Sequence, residues 1–259
     1  MFTKDEIFTI AMRQTALDLN IDPADLLQDH NIIRTPAEGT VGARARRYYH
    51  APVACNMVSY GHNITASCLP EYAPIVREYL DKFTWYHCFE TPNLYRLNDR
   101  LRPLGQTVVF MAEYFLPEPE LLRPLPCDLP LRVMTQPDFS SLYTPEWSNA
   151  LCAERKELDV LGVGAFDGDR LVGLAACSAD CDSMWQIGVD VLPEYRQRGL
   201  AKAMTSHLAI EILNRGKVPF YCCAWSNIRS ARNAVRCGFL PAWAEMTVKP
   251  ISLAEEMNR

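Results

Sequence analysis

The residues best suited to chemistry lie in one run, Ile187-Gly188-Val189-Asp190-Val191-Leu192-Pro193-Glu194-Tyr195-Arg196-Gln197-Arg198-Gly199-Leu200-Ala201. An apolar strand closes at Pro193, a short loop follows, and a helix opens at Gly199. The first amides of a helix have no internal acceptor and together carry about half a positive charge, so a phosphate sits well against them. Gly199 has no side chain to obstruct that approach, and Ala201 keeps the helix close to the sheet. Arg196 and Arg198 can add charge-assisted contacts from the rim. On residues alone the run is either a phosphate-binding turn or a surface turn leading into an amphipathic helix.

The other reactive side chains form no constellation. Ten cysteines stand at 55, 68, 88, 127, 152, 177, 181, 222, 223 and 237, with no CxxC pair. They read as reduced, mostly buried thiols acting as small hydrophobes, and no metal is expected. Cys222 and Cys223 should face opposite sides of a strand. His50, His62 and His87 are isolated and read as structural. Arg44, Arg46 and Arg47 read as a solvated basic loop, with contact to an anionic ligand as the alternative.

Regular elements must position these groups. Thr3 and Glu6 form a capping-box pattern ahead of a first helix, and Asp22-Pro23 opens a second, short one through Leu27. Strand-like sequence runs from Ala51 to Ser67. An amphipathic helix covers 70–83, another covers 91–101, and a strand runs from Thr107 to Phe115. Prolines at 117, 119, 124, 126 and 130 forbid long helix or central strand and mark an ordered connector. Beyond it come a short strand at 131–134, helical material over 137–158 broken near Pro145, and a hairpin, 161–166 and 170–177, turned at Asp167-Gly168-Asp169. A strand at 183–192 follows, then a helix at 199–214 with Leu200, Met204, Leu208 and Ile212 four apart. A strand at 218–225, a helix at 228–237 and a strand at 243–248 close the series. The expected organisation is an N-terminal α+β domain over 1–115, the connector over 116–130 and a second domain over 131–259.

Composition bounds the rest. With 259 residues, 49% hydrophobic and 22% charged, the chain can bury a core, and a formal charge of −5 argues against bulk nucleic-acid binding. The opening Met1-Phe2-Thr3-Lys4-Asp5-Glu6 is charged where a signal peptide would turn apolar. No stretch approaches the roughly 18–20 apolar residues of a membrane span. A cytoplasmic protein without membrane or nucleic-acid partners is expected.

Arg196-Gln197-Arg198-Gly199-Leu200-Ala201 matches the pattern R/Q-x-x-G-x-G/A. With Val191-Leu192-Pro193-Glu194-Tyr195 before it and Asn227-Ile228-Arg229-Ser230 and Cys237-Gly238-Phe239 after it, the chain resembles the GNAT family of N-acetyltransferases over about 129–250. The resemblance implies an α/β fold with a mixed, mostly antiparallel sheet and helices on both faces, here preceded by a smaller α+β domain. The first half carries no such motif; it is either a degenerate copy of the same fold or an unrelated capping domain.

The resemblance also implies acetyl-CoA as acyl donor, lying between the strands at 183–192 and 218–225. Main-chain groups of Val189 and Val191 would meet the pantetheine, and N–H groups in that region would polarise the thioester carbonyl. The pyrophosphate would meet the amides of Gln197, Arg198, Gly199, Leu200 and Ala201, with Arg196 alongside. Asn227 would contact the cofactor or cap a turn, and Ser230 is a weaker cofactor contact. The implied reaction is direct attack by a neutral amine. Deprotonation at pH 7 costs about 4.6 kcal/mol for a lysine-like amine and about 1.4 for an α-amine, so a base matters mainly for the first. Asp190, Glu154 and Glu245 are the candidates, directly or through water, but none has a specific spacing and each also reads as a structural or solvated carboxylate. Where many members carry a proton-donating tyrosine, four residues before the Gly of Gly-Phe, this chain has Ala234. Tyr221, Tyr195 or solvent would take that role. A covalent route through Cys222 or Cys223 lacks a visible His–Asp partner set. The acceptor would meet residues 138–157, including Tyr143, Glu146 or Trp147. Alternatives to catalysis are a CoA-binding sensor and a structural protein with an empty cleft.

Overall fold

The computed structural model describes residues 2–47 and 53–259; His50 and the start of the strand expected from Ala51 lie outside them. In chain order the regular elements are α1 (Lys4–Leu19), β1 (Ile32–Arg34), β2 (Cys55–Ser59), β3 (Thr65–Cys68), α2 (Ala73–Lys82), α3 (Thr91–Leu101), β4 (Gln106–Pro117), β5 (Leu131–Thr135), β6 (Asp159–Asp167), β7 (Arg170–Ser178), β8 (Met184–Val191), α4 (Leu200–Asn214), β9 (Val218–Cys223), α5 (Ile228–Arg236), β10 (Phe239–Pro250) and α6 (Ile251–Met257). No helix among the described residues is long and apolar enough to cross a membrane.

The local signals act as the side chains dictate. Thr3 and Glu6 close the capping box, with the Thr3 N–H donating to Glu6 at 2.7 Å and the Glu6 N–H to Thr3 Oγ1 at 3.2 Å. Asp22 caps a 3-10 turn at Pro23–Leu27. Gly168 takes φ +62° as the first of two residues joining paired Asp167 and Arg170, the pattern of a type II′ hairpin. The segment expected to be helical over 137–158 forms three short 3-10 turns, Gln136–Phe139, Pro145–Trp147 and Ala153–Leu158. Pro137 and Pro145 each sit in the first turn of a separate piece, so Pro145 breaks the run, and Arg155 leaves helical geometry (φ −141°, ψ 45°).

The chain forms two compact units that interleave in sequence, rather than dividing at the connector. One comprises residues 2–11 with Phe115–Pro241, the other Met12–Tyr114 with Ala242–Arg259. The chain passes between them inside β4 and β10, which continue past the expected domain limits. The connector belongs to the first unit: the Glu118 N–H donates to the Gly238 carbonyl, Lys4 pairs with Glu118 at 2.6 Å, and the Leu125 N–H donates to Ser206. Gly238 has φ +91°, and a Cβ there would stand 2.8 Å from the Leu121 backbone, which accounts for the glycine of the Gly-Phe pair.

In the first unit the strands run in the order β9-β8-β7-β6-β5, antiparallel except for the parallel pair β8–β9. Leu174 and Ala176 pack with Phe139, Trp147 and Leu151 of the 3-10 segments. Ala175 and Cys177, on the opposite face, pack with Leu200, Met204, Leu208 and Ile212 of α4 and Ala234 of α5. This is the mixed, mostly antiparallel sheet with helical material on both faces.

In the second unit the hairpin β2–β3 pairs antiparallel with β10, and β1 adds parallel to β3. Val76, Tyr79 and Leu80 of α2 and Leu97 and Leu101 of α3 pack on Met57, Ala66, Met246 and Val248. Here Arg46 departs from the solvated loop expected of it. It is 0% exposed, with Nε 2.6 Å and Nη2 2.5 Å from Asp18 and Nη2 3.0 Å from Glu245. Its guanidinium also lies 5.7 Å from the Tyr114 ring centroid and 6.0 Å from that of Trp243. Burial of a charge is tolerated only with such pairing.

Glu245 accepts from Trp243 Nε1 at 2.7 Å, and burial pushes its carboxyl up to about 7 against the pull of Arg46. A folded value above the ordinary 4.5 means that the native state keeps a proton the unfolded chain has released. Stability is therefore expected to fall as pH rises from about 4.5 to about 7. Urea unfolding at several pH values should show that slope in the unmodified protein and a shallower one in Glu245→Gln, with the difference clearest between about pH 6 and 7.

Candidate functional site

The strands β8 and β9 run side by side only part of the way. Their register is Met184↔Val218, Trp185↔Pro219, Gln186↔Phe220 and Ile187↔Tyr221, and it stops there. On its other edge β8 stays paired with β7 through Gly173↔Val191. Among the described residues, Gly188 to Val191 thus have no strand partner on the β9 side, and the β8–β9 pairing has Ile187 and Tyr221 as its apex.

The chain leaves β8 through a 3-10 turn at Pro193–Tyr195 and enters α4 by a turn with two left-handed residues, Gln197 (φ +65°) and Gly199 (φ +83°, ψ 4°). A non-glycine residue in that conformation costs about 1–3 kcal/mol and tends to occur where function needs the geometry. Successive left- and right-handed residues turn main-chain N–H groups into a concavity suited to anions. No acceptor among the described residues receives the N–H groups of Gln197, Arg198, Gly199, Leu200 or Ala201, and α4 has no side-chain cap. These donors lie at the positive end of a 15-residue helix.

The flanking cations are partly fixed. Arg196 Nε donates to the Val191 carbonyl at 3.0 Å, so that carbonyl is occupied while the turn is braced against the end of β8. The Arg198 guanidinium lies 5.4 Å from the Tyr195 ring centroid. Tyr195 itself donates to Asp167 at 2.7 Å, which holds its hydroxyl at the β6–β7 hairpin and raises its pKa. Lys202 reaches back over the turn: a Cβ on Gly199 would stand 3.0 Å from its Cε and 3.7 Å from its Nζ. Sequence reasoning missed this cation; its position one turn into the helix was the available signal.

At the apex, Tyr221 is buried, with its hydroxyl 2.9 Å from Ser230 Oγ. Burial raises its pKa, so the phenol stays protonated at neutral pH. Ser230 and Ala234 lie one turn apart on α5, and both face inward with Tyr221. Asn227 acts as a cap, its Oδ1 accepting the Ser230 N–H at 3.2 Å. Cys223 packs in the core, whereas Cys222 Sγ accepts from Gln186 Nε2 at 3.1 Å, so the adjacent cysteines do face opposite ways.

The remaining carboxylate candidates separate. Asp190 accepts from the Asn149 N–H at 2.8 Å, the Ala150 N–H at 2.9 Å and Asn149 Nδ2 at 2.8 Å. Glu154 is exposed and meets Cys152 Sγ at 3.4 Å. Glu245 is buried against Arg46 in the second unit. Asp159, which sequence reasoning passed over, is buried, accepts the Cys152 N–H at 2.8 Å and is pushed up to about 6 by desolvation. Trp147 is part of the core, whereas Glu146 is exposed and Tyr143 half-buried, with Lys156 Nζ 4.5 Å from the Tyr143 ring centroid.

The family model described as GNAT acetyltransferase matches residues 105–242, starting upstream of the connector. None of the curated proteins matches the sequence. Among solved structures, similar chains include a GCN5-related N-acetyltransferase-like protein from Streptococcus suis 89/1591, at 17% identity and TM-score 0.47 over 78% of this chain and 85% of that one. A GCN5-related N-acetyltransferase from Kribbella flavida is 18% identical, with TM-score 0.46, over 61% of this chain and 64% of that one. The aminoglycoside N-acetyltransferase AAC(6')-Iy, in complex with CoA, is 22% identical, with TM-score 0.35, over 46% of this chain and 92% of that one. For the Kribbella protein, as for several other matches, the aligned part is less than two thirds of that chain.

Proposed function

Because the chain belongs to the GNAT acetyltransferase family, we propose that it is an acetyl-CoA-dependent N-acetyltransferase in which an acceptor amine attacks the thioester directly. The observation that carries this reading is a conjunction: five unpaired main-chain donors at 197–201 stand next to a β8 edge left open from Gly188 to Val191. A diphosphate fits the first feature, and an extended amide-bearing chain fits the second as an added strand. Arg198 and Lys202 supply cationic rim groups, and Arg196 keeps the turn seated against Val191. Val189 offers main-chain contact along the open edge, whereas the contact expected of Val191 falls to its N–H, since Arg196 holds its carbonyl. Asn227 braces α5 as a cap, and Ser230 orients Tyr221.

Acetyl-CoA would supply an activated acetyl group and a thiolate leaving group. The protein's part is to orient, to exclude water and to manage two protons. Tyr221, on β9, meets α5 at Ser230, one turn before Ala234, and it holds its proton, so it is the donor we assign to the departing sulfur. Glu154 is the exposed carboxylate left to accept the amine's proton, directly or through water, and Asp190 is withdrawn from that role by its three donors. The absence of a tyrosine at 234 supports a second reading, a CoA-binding sensor that does not turn over.

Thermal unfolding with CoA and thiol release from acetyl-CoA across a panel of primary amines test the proposal together. A raised Tm with amine-dependent thiol release is expected. A raised Tm without release would favour the sensor, and an unchanged Tm would remove both readings.

A further inference from the structure

Strand β8 carries a second contact that neither the phosphate turn nor the open edge requires. Gly188 and Asp190 are two residues apart and so share one face of the strand. Both meet the same short segment, Asn149–Ala150. Asp190 receives its two main-chain N–H groups and the Asn149 amide, at 2.8–2.9 Å. A Cβ on Gly188 would stand 1.9 Å from the Asn149 carbonyl oxygen and 2.9 Å from its carbon, so only glycine lets the segment approach this closely. Two residues farther on, Asp159 receives the Cys152 N–H at 2.8 Å. Carboxylates on β8 and β6 therefore pin both ends of 149–152. The β8 anchor lies in the stretch, Gly188 to Val191, that stays paired with β7 but continues past the end of the β9 register.

We infer that Asp190 is a positioning residue for the acceptor: it fixes the Asn149–Ala150 segment over the open part of β8, so that the strand lying along the acyl donor also sets the acceptor wall. This rests on the acetyl-transfer reading. The carboxylate acts through main-chain hydrogen bonds and takes no proton from the amine. Two charge-assisted bonds to adjacent N–H groups define the height and the direction of the segment, which a single neutral acceptor does not. An acceptor seated there depends on Asp190, whereas the phosphate turn, whose donors are its own main chain, does not.

The test is Asp190→Asn in the 259-residue chain. CoA affinity by calorimetry is expected to stay within threefold of the unmodified protein, and kcat within about threefold. KM for the best amine of the panel should rise tenfold or more. Hydrogen exchange of the 148–152 peptide should speed up in Asp190→Asn, while the 196–203 peptide is unaffected. A fall in kcat of a hundredfold with KM unchanged would make Asp190 a base and overturn the inference; unchanged KM and unchanged exchange would overturn it too. If the unmodified protein binds CoA but acetylates no amine, the acetyl-transfer reading fails and the acceptor role falls with it. The exchange result then decides separately whether Asp190 holds the segment. Should Asp190→Asn not fold, Asn149→Ala, which removes one of the three donors, is expected to raise KM by a smaller factor with CoA affinity intact, and an unchanged KM would count against the inference.

Discussion

Gly199→Glu is expected to weaken CoA binding by at least a hundredfold, about 2.7 kcal/mol, with little change in Tm. Three effects act in the same direction. Gly199 has φ +83°, which a residue with a Cβ adopts at a cost of about 1 kcal/mol. The new Cβ would press on Lys202 Cε at 3.0 Å and displace the cation that lies over the turn. The added carboxylate would compete for the same unpaired N–H groups that a diphosphate would use. Gly199→Ala keeps the first two effects without the charge, so it should lose less, roughly tenfold. Calorimetric titration of both variants separates strain from charge. Affinity within threefold of the unmodified protein for Gly199→Glu would mean that CoA binds elsewhere or not at all.

Tyr221→Phe should cut kcat about a hundredfold while CoA affinity changes little. General acid catalysis contributes about 10²–10⁴, and a thiolate, the conjugate base of a thiol with pKa near 8.5, is a good enough leaving group to place this case at the low end. The hydroxyl is 2.9 Å from Ser230 Oγ, and removing it leaves that partner with one bond fewer, a loss of about 1 kcal/mol in stability. Unfolding measurements should show that modest loss, which separates it from the kinetic effect. Ser230→Ala leaves the phenol in place but frees its orientation, so its kcat should fall by less. If kcat of Tyr221→Phe stays within twofold, solvent protonates the sulfur and Tyr221 is a core residue only.

Much of this site was legible in the residues because it is local. The Pro193 stop, the glycine at 199 and the apolar positions of α4 are signals within one turn of where they act. The Asp167-Gly168-Asp169 reversal and the Asn227 cap are equally short-range, and each appears in the structure as hydrogen bonds or dihedral angles. The alternative drawn for Asn227, a turn cap, is the role its side-chain oxygen takes.

What escaped was set by tertiary contacts. Asp190 read either as a base or as a structural carboxylate, and nothing in its neighbours announces its partner Asn149, 41 residues away. Arg46 looked solvated beside Arg44 and Arg47, yet Asp18 and Glu245, the latter 199 residues on, draw it into the interior. Gln197 gave no sign of its left-handed backbone, which the neighbouring turn and helix impose. The break near Pro145 was legible over 137–158, but the shortness of the pieces, three 3-10 turns with Arg155 outside helical geometry, was not. The two units alternate along the sequence because the chain crosses between them within β4 and β10, where no proline or glycine cluster marks a limit.

The most direct measurement is hydrogen exchange across 184–203 with and without saturating CoA. Occupation of the turn and of the β8 edge predicts slowed exchange at 197–201 together with slowed exchange at 188–191. Protection absent from both stretches, or confined to residues outside them, would contradict the account.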